Sequence, residues 1–325
     1  MTTTLAVVGA CALGTIAAAP AQADVQQATS ENWSGYVAGG SSASGPSKFR
    51  SVSGSWVVPS VNCGSGQGYA SFWVGLGGSG QARALEQTGT EASCSASGTA
   101  SYSGWYELVP AAPVTVNMAV KPGDTMSGKV TVNGSDVTVS LSNQTTGASF
   151  NRTLTMSDPD VSSAEWIAES PSACQQGTSG CTTLPLADFG TVQFSHASAT
   201  TVDGHTGTIS DPSWSAAAVA LSPNSGTLGL DGVQLASQET GAGATPSSLT
   251  DGGSAFSVTW SSDAAAASGA GYDQGYPGAG YDQGYPTGGY VFVYPGGGYV
   301  YVGPGYGYAP GSTSGYAYGD GGWAA

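Results

Sequence analysis

An alternation of apolar and polar residues around an Asn-Gly pair constrains the fold of this chain most. In KVTVNGSDVTVSL, residues 129–141, Val or Leu stands at every second position on both sides of Asn133-Gly134. This pattern predicts an antiparallel β-hairpin. The stretches SKFRSVSGSWVVPS, FGTVQFSHASAT and SAFSVTW carry the same strand pattern, and from about Thr29 to Trp260 no stretch keeps a helical period over three turns. Many short strands predict an all-β sandwich.

The first 23 residues have the pattern of a secretory signal. An apolar stretch from Leu5 to Ala19 leads to the small-x-small site Ala21-Gln22-Ala23, which predicts cleavage before Asp24. The segment before the apolar stretch lacks Lys and Arg, and a lipidation site at Cys11 is the weaker alternative. We therefore expect a signal peptide at 1–23 and a β-sandwich domain at 24–263.

Residues 264–325 differ sharply in composition from the rest. Gly, Tyr and Pro dominate, GAGYDQGYP occurs twice in tandem, and Lys and Arg are absent. A segment of this composition buries too little apolar surface to offset its ordering entropy, so we expect a disordered tail. The stretches YVFVY and YVYV are β-prone. The tail is either a flexible extension without a ligand or a segment that contacts the cell surface or itself.

The charge balance excludes one class of partner. The 325 residues contain 6 basic and 21 acidic side chains, a net charge of −15. Such a chain is repelled by the nucleic acid backbone. The apolar stretch near the start is too short to span a membrane. We expect a monomeric, secreted protein, with association with the cell surface as the alternative.

Four cysteines remain once the signal peptide is removed: Cys63, Cys94, Cys174 and Cys181. An even number in an exported chain predicts two disulfides. Cys174 and Cys181 close the short loop CQQGTSGC, which leaves Cys63 to pair with Cys94. Zinc is the alternative, but there is no C-x-x-C and no nearby His. We expect neither a metal ion nor a cofactor.

The residues that carry chemistry are few. There is no G-x-S-x-G and no H-E-x-x-H motif, and a Ser-His-Asp triad built on His196 or His205 lacks support. The strand pattern SAEWIAES places Glu165, Ile167 and Glu169 on one face. Six basic residues leave few partners for these carboxylates. A glutamate beside a tryptophan in a cleft has its pKa raised by desolvation, which suits acid-base catalysis.

Seven motifs in this order resemble those of the glutamic peptidases, also called eqolisins. The motifs are ENWSGYV, SGSWVVPSV, SFWVGLGG, ALEQTG, SGWYELVP, AEWIAE and LADFGTVQF. Fungal members carry segments such as SNWAG, FTVPSV, WVGIDG, ILQTG, AEWIVE and ADFGSVTF. The resemblance extends from about Thr29 to Trp260. It implies a β-sandwich of two seven-stranded antiparallel sheets and a secreted acid endopeptidase that acts on proteins or peptides.

The resemblance also implies roles for individual residues. Gln87 matches the family's catalytic glutamine, and Glu169, the last Glu of AEWIAE, matches its catalytic glutamate. Glu169 would take a proton from the attacking water, and Gln87 would hold the water and then the oxyanion. Trp73, Trp105 and Glu107 match residues of the family's substrate cleft.

The chain departs from the family motifs at four positions. Gly77 stands where WVGIDG has Asp, and Ser103 and Val109 replace Asp and Tyr of YDAWYEWY. Glu91 replaces the aspartate of TGVD. The resemblance therefore does not fix the substrate preference or strongly acidic operation.

Two other functions compete with the peptidase hypothesis. A glycan-binding sandwich would use Trp73, Trp105 and Trp166 as stacking platforms. A catalytically silent surface protein would act through its tail, and Gly77 favours it. The presence of both Gln87 and Glu169 favours the peptidase, because a binding module does not need that pair.

Overall fold

The computed structural model describes residues 25–39, 41–42, 45–46, 48–79, 84–174, 181–222, 241–262, 290–294 and 298–302. In these ranges the chain forms strands and two short 3-10 turns, at Cys63–Ser65 and Asp251–Gly253, and no α-helix. The strands are β1 (Val25–Ser30), β2 (Trp33–Gly39), β3 (Ser41–Ser42), β4 (Gly45–Pro46), β5 (Phe49–Val57), β6 (Gly68–Gly77), β7 (Leu85–Cys94), β8 (Ala100–Val109), β9 (Val114–Val116), β10 (Thr125–Asn133), β11 (Asp136–Asn143), β12 (Ala148–Thr155), β13 (Ala164–Glu169), β14 (Ser172–Cys174), β15 (Cys181–Thr183), β16 (Thr191–Thr201), β17 (Thr206–Gly207), β18 (Ser215–Leu221), β19 (Gly243–Pro246), β20 (Phe256–Ser261), β21 (Tyr290–Tyr294) and β22 (Gly298–Val302).

Fourteen strands form one hydrogen-bonded order that divides into two sheets of seven. The supporting sheet has the order β12-β11-β10-β5-β16-β20-β19, and the site sheet has the order β18-β2-β13-β6-β7-β8-β9. The two orders meet at a single pair, Leu221 opposite Ala244. Neighbours along both orders are antiparallel, whereas β1 joins β18 in parallel. The predicted sandwich of two seven-stranded sheets is confirmed.

The hairpin predicted from the Asn-Gly pair is present, with its turn one residue later than expected. Asn133 on β10 pairs with Asp136 on β11, so Gly134 and Ser135 form the two-residue loop. Gly134 has a φ of 62°, a left-handed conformation in which a side chain is unfavourable. The valines on each side of the turn alternate into the core as predicted.

The main core lies between the two sheets, and strand alternation selects its residues. On β13, Ala164, Trp166 and Ala168 face this core. The Trp166 indole N–H crosses between the sheets and donates to the Ser53 carbonyl on β5 at 2.8 Å. The approach is close at Gly54, where an added Cβ would lie 2.8 Å from Cδ1 of Trp166. The glycine therefore sets how closely β5 packs on β13.

One of the two predicted disulfides is observed. Cys63 and Cys94 are bonded and tie the turn after β5 to the end of β7. Cys174 and Cys181 face each other across the β14–β15 pair, but their side chains lie outside the described part of the chain. The second disulfide stays a prediction.

The two terminal segments are largely outside the described residues. This holds for the predicted signal peptide and for most of the predicted tail. Within the tail, the β-prone stretches form the antiparallel pair β21–β22. The structure contains no helix, over the ranges given above, that is long and apolar enough to cross a membrane.

Substituting Gly54 by Ala is expected to destabilise the protein by about 1–3 kcal/mol, the usual cost of forcing extra volume into a packed core. The added methyl meets the Trp166 ring, which cannot move without losing its bond to Ser53. Denaturant unfolding monitored by tryptophan fluorescence measures the change. Gly241→Ala is the control, since Gly241 is exposed and lies before the first residue of β19, Gly243. Equal stability of both variants would contradict the close packing at Gly54.

Truncation after residue 263 is expected to leave the sandwich intact. The last strand of the supporting sheet, β20, ends at Ser261 and is paired on both sides by β16 and β19. The truncated and full-length proteins should have the same melting temperature by calorimetry. A truncated protein that does not fold would place the domain boundary further along the chain.

Candidate active site

Four neighbouring strands of the site sheet place polar side chains on the face opposite the main core. The strands are β13, β6, β7 and β8, and their antiparallel register aligns residues from distant parts of the sequence. Three rows cross this face. They are Glu165-Gly75-Gln87-Glu107, Ile167-Trp73-Gly89-Trp105 and Glu169-Ser71-Glu91-Ser103.

The carboxyl group of Glu169 is held by N–H donors. The Trp73 indole N–H donates to Oε2 at 2.7 Å, and the Asn32 amide donates to Oε1 at 3.1 Å. Burial raises the pKa of Glu169 to about 7, although the N–H groups of Trp73, Trp33 and Asn32 oppose the rise. The Trp33 indole is close enough to act on this carboxyl but does not reach hydrogen-bond geometry. The Glu169 carboxyl thus contacts a tryptophan and has a raised pKa, and its catalytic role stays a prediction.

Trp73 is positioned by two glycines. An added Cβ at Gly89 would lie 2.6 Å from Cβ of Trp73, and one at Gly75 would lie 2.9 Å from Cζ3 of its ring. The missing side chains therefore give the indole its place on this face. Trp73 belongs to a second apolar cluster on the site sheet, together with Trp33, Leu85, Trp105, Ile167 and Val219. The Trp33 ring meets the Trp73 ring edge-on at 5.1 Å.

Gln87 and Glu107 face each other across β7 and β8. The Gln87 Nε2 donates to Oε2 of Glu107 at 2.7 Å. The other amide atom of Gln87, Oε1, is buried and has no hydrogen-bond partner in the described part of the protein. Gln87 is 4% exposed. The amide therefore has one hydrogen-bonding end and one unpaired end.

Glu107 also lies within electrostatic range of Glu169. Burial and the negative charge of Glu169 raise the pKa of Glu107 to about 8, and the hydrogen bond from Gln87 opposes the rise. Repulsion between two carboxylates is mutual, so their two protons leave in succession and belong to the pair. The pair therefore loses its first proton above the ordinary range of a glutamate and then carries one negative charge, as a general base requires.

A second group of carboxyls lies beside this site without basic partners. Burial raises the pKa of Glu86 to about 8; the peptide N–H of Asp160 lowers it and the Asp160 carboxylate raises it. Burial likewise raises the pKa of Glu165 well above its ordinary value, with added repulsion from Asp160 and Glu86. Among the described residues, the ion pair is His205 with Asp211, so none of these carboxylates is neutralised by a base.

The departures from the family motifs cluster around the same site. Gly77 has a φ of 80°, and an added Cβ would lie 2.4 Å from Cβ of Asp160. The Asp160 carboxylate instead accepts a hydrogen bond from the Gly78 N–H at 3.2 Å. Glu91 is buried next to Ser71, burial raises its pKa to about 7, and Ser93 opposes the rise. Val109 packs at the edge of the second apolar cluster.

The structure brings together five of the residues singled out in the sequence: Gln87, Glu169, Trp73, Trp105 and Glu107. Trp166 is not among them, because it lies fully buried in the main core. Its predicted alternative role as a stacking platform is therefore wrong.

The histidines do not form a catalytic triad. Nε2 of His205 contacts both Asp211, at 3.0 Å, and Ser213, at 3.1 Å. In a triad, one ring nitrogen of the histidine is hydrogen-bonded to the acid and the other to the nucleophile. His196 is exposed on β16 of the supporting sheet.

Two residues of the site were not predicted. Asn32 and Trp33 precede or begin β2, which pairs with β13 and places Trp33 directly opposite Glu169. Both belong to the motif ENWSGYV, so the motif marked them, but no residue type in it indicates contact with a glutamate 137 residues later. In the described residues there is no group of three or more His, Cys, Asp or Glu arranged to hold a metal ion.

Comparison with known proteins agrees with these motifs. A sequence model of the peptidase A4 family matches residues 31–227, more than half of the chain. Aspergillopepsin-2 of Aspergillus niger is 33% identical over 197 residues, which cover 53% of this chain and 64% of the relative, so the match spans less than two thirds of that protein.

Solved structures of glutamic peptidases resemble this chain to different degrees. A scytalido-glutamic peptidase with a transition state analog inhibitor superposes with a TM-score of 0.50 and 24% identity, over 71% of this chain and 98% of that one. This likeness supports the fold alone. The aspergilloglutamic peptidase of Aspergillus niger is 28% identical, with a TM-score of 0.43, over 59% of this chain and 99% of that one.

The buried carboxyls predict that stability decreases as the pH rises. Glu86 binds its proton more tightly in the folded state than in the unfolded state, where its pKa is near 4.5. Its contribution is therefore fully favourable below pH 4.5 and is lost as the pH rises towards about 8. Glu86→Gln should raise the melting temperature at pH 8 and leave it nearly unchanged at pH 4. The exposed Asp136→Asn is the control; equal pH dependence in wild type and Glu86→Gln would contradict the assignment.

Proposed function

Since the chain belongs to the peptidase A4 family, we propose that it is a glutamic endopeptidase that hydrolyses peptide bonds with Glu169 and Gln87. The observation that supports this most is the arrangement of Glu169, Glu107 and Gln87. The charge of one carboxyl, held by Trp73 and Asn32, acts on a second carboxyl that is itself bonded to a neutral amide. Such a pair supplies a base and an uncharged hydrogen-bond donor at one place.

The proposed reaction uses one water molecule, and Glu169 is the group that takes up and then releases the proton. Ionised Glu169 takes a proton from the water as its oxygen attacks the scissile carbonyl carbon. The N–H of Gln87 donates to the carbonyl oxygen as it becomes an oxyanion. Protonated Glu169 then gives its proton to the amide nitrogen of the substrate, the C–N bond breaks, and the carboxyl is ionised again.

The ionisation of the carboxyl pair sets the proposed working pH. The base must be ionised, and the pKa of Glu169 is raised to about 7. The unperturbed pKa of a glutamate predicts an optimum in the acid range. Burial moves the optimum upward from there, so we expect a weakly acidic to neutral optimum, and activity that falls as the pH decreases below the pKa of Glu169.

Aromatic residues are proposed to bind the substrate beside the catalytic pair. Trp73 and Trp105 lie in the same apolar cluster, and Glu107 borders it. The indole N–H groups of Trp33 and Trp105 are buried and have no partner in the described residues. Buried donors of this kind normally find an acceptor. Main-chain carbonyls of a bound peptide are suitable acceptors, so an unfolded protein or a peptide is the proposed substrate.

Export from the cell is part of the proposal. It rests on the signal-like segment at 1–23 and on the observed bond between Cys63 and Cys94, since disulfides persist in oxidising compartments. The competing glycan-binding function is weaker, because a binding module has no need for the pair Gln87 and Glu169.

Substitution of the pair tests the proposal. Glu169→Gln should abolish digestion of casein or haemoglobin at every pH while leaving the circular dichroism spectrum unchanged, because the amide cannot accept the proton. Gln87→Ala should lower turnover by about 100-fold or more, the cost of losing an oxyanion donor. Glu165→Gln on the same strand should have a milder effect. Digestion at the wild-type rate by Glu169→Gln would end the proposal.

A further inference from the structure

The amide of Gln87 has two orientations that differ little in shape. They exchange the nitrogen, which donates, with the oxygen, which only accepts. An oxyanion is stabilised by the nitrogen and repelled by the oxygen. A catalytic amide therefore needs a neighbour that selects one orientation.

We propose that Glu107 is a positioning residue that fixes the orientation of the Gln87 amide by accepting a hydrogen bond from its nitrogen. Nε2 donates one hydrogen to Oε2 of Glu107 at 2.7 Å, which leaves its second hydrogen for the substrate. Oε1 is enclosed, with no partner among the described residues. Glu107 is thus the group that distinguishes the two ends of the amide. The inference rests on the proposed role of Gln87 in catalysis.

A carboxyl group is suited to this selection. In its ionised form it has acceptors and no donor, so the turned amide would bring two oxygens together. In its protonated form it carries a donor as well as an acceptor, so the selection of the amide orientation is strongest when Glu107 is ionised. The register of β7 and β8 places Gln87 directly opposite Glu107, so the contact needs no loop to form it.

The charged surroundings of Glu107 are simple. The ionisable group that acts on it is Glu169 on β13, and β7 contributes the neutral Gln87. Arg152 lies on the opposite side of β8, where its guanidinium donates to the hydroxyl of Tyr106. Neither contact competes with Gln87 for Oε2 of Glu107. The amide and the carboxyl are therefore expected to act as a unit.

The test compares two substitutions of nearly equal size. Glu107→Leu removes the acceptor, so kcat should fall by about 10- to 100-fold, the cost of misplacing a catalytic group. KM should change by less than about threefold, since substrate contacts remain. Glu107→Gln retains an acceptor oxygen and should keep more of the wild-type kcat than Glu107→Leu. Glu86→Gln is the matched control: Glu86 is a buried glutamate next to Gln87 in sequence, and kcat should not change.

A measurement without substrate separates this inference from the proposed function. In NMR spectra of the full protein, the side-chain N–H resonances of Gln87, assigned with Gln87→Ala, should shift as Glu107 titrates. The shift should vanish in Glu107→Leu and persist in Glu86→Gln. Two results would overturn the positioning role. One is a wild-type kcat in Glu107→Leu, and the other is that the Gln87 resonances do not shift as Glu107 titrates. Absence of peptidase activity in the wild type would overturn the proposed function instead, and the resonances would still decide whether the pair exists.

Discussion

The antiparallel register of β13, β6, β7 and β8 is the constraint on which the candidate site depends. Glu169 and Gln87 are separated by more than 80 residues, and each strand presents alternate residues to the core and to the site. A slip of one residue would exchange these faces, turning Glu169 into the core and Trp166 out of it. The main core resists such a slip, because Trp166 and Phe72 are fully buried and Trp166 is bonded to the supporting sheet. Apolar packing on one face of the sheet thus holds the polar residues of the other face in place.

The buried carboxyl groups of this sheet have no basic partners in the described part of the chain, and this determines how they ionise. With 6 basic residues in 325, the chain cannot neutralise its buried acids by ion pairing. Bound protons neutralise them instead. Burial is the largest cause of the raised pKa of Glu86, Glu107 and Glu169. At Glu107 and Glu169 the raised pKa keeps protons bound above the ordinary range of a glutamate. At Glu86 it makes the same sheet sensitive to pH, because ionisation of this carboxyl as the pH rises destabilises the fold.

The sequence predicted the architecture well, because period-two alternation and turn residues act locally. The β10–β11 hairpin, the strands at 49–57 and 191–201 and the bond between Cys63 and Cys94 follow from patterns a few residues long or from counting cysteines. The motifs also marked the residues that meet in the site. What they did not reveal was which contacts form: that Asn32 reaches Glu169, or that Glu107 bonds Gln87. These contacts depend on the pairing order of strands distant in sequence, which no local pattern encodes.

At Gly77 the sequence motif lacks a carboxylate, but the folded structure places the carboxylate of another residue there. Read position by position, replacement of the family's aspartate by glycine removes a carboxyl from the site and favours an inactive protein. In space, Asp160 from the segment before β13 places its own carboxyl against Gly77 and bonds the next N–H. A side chain at position 77 would collide with it, so the glycine and Asp160 fit only together. An acid thus lies beside Gly77 without a carboxylate at position 77 itself, so Gly77 alone does not indicate a silent enzyme.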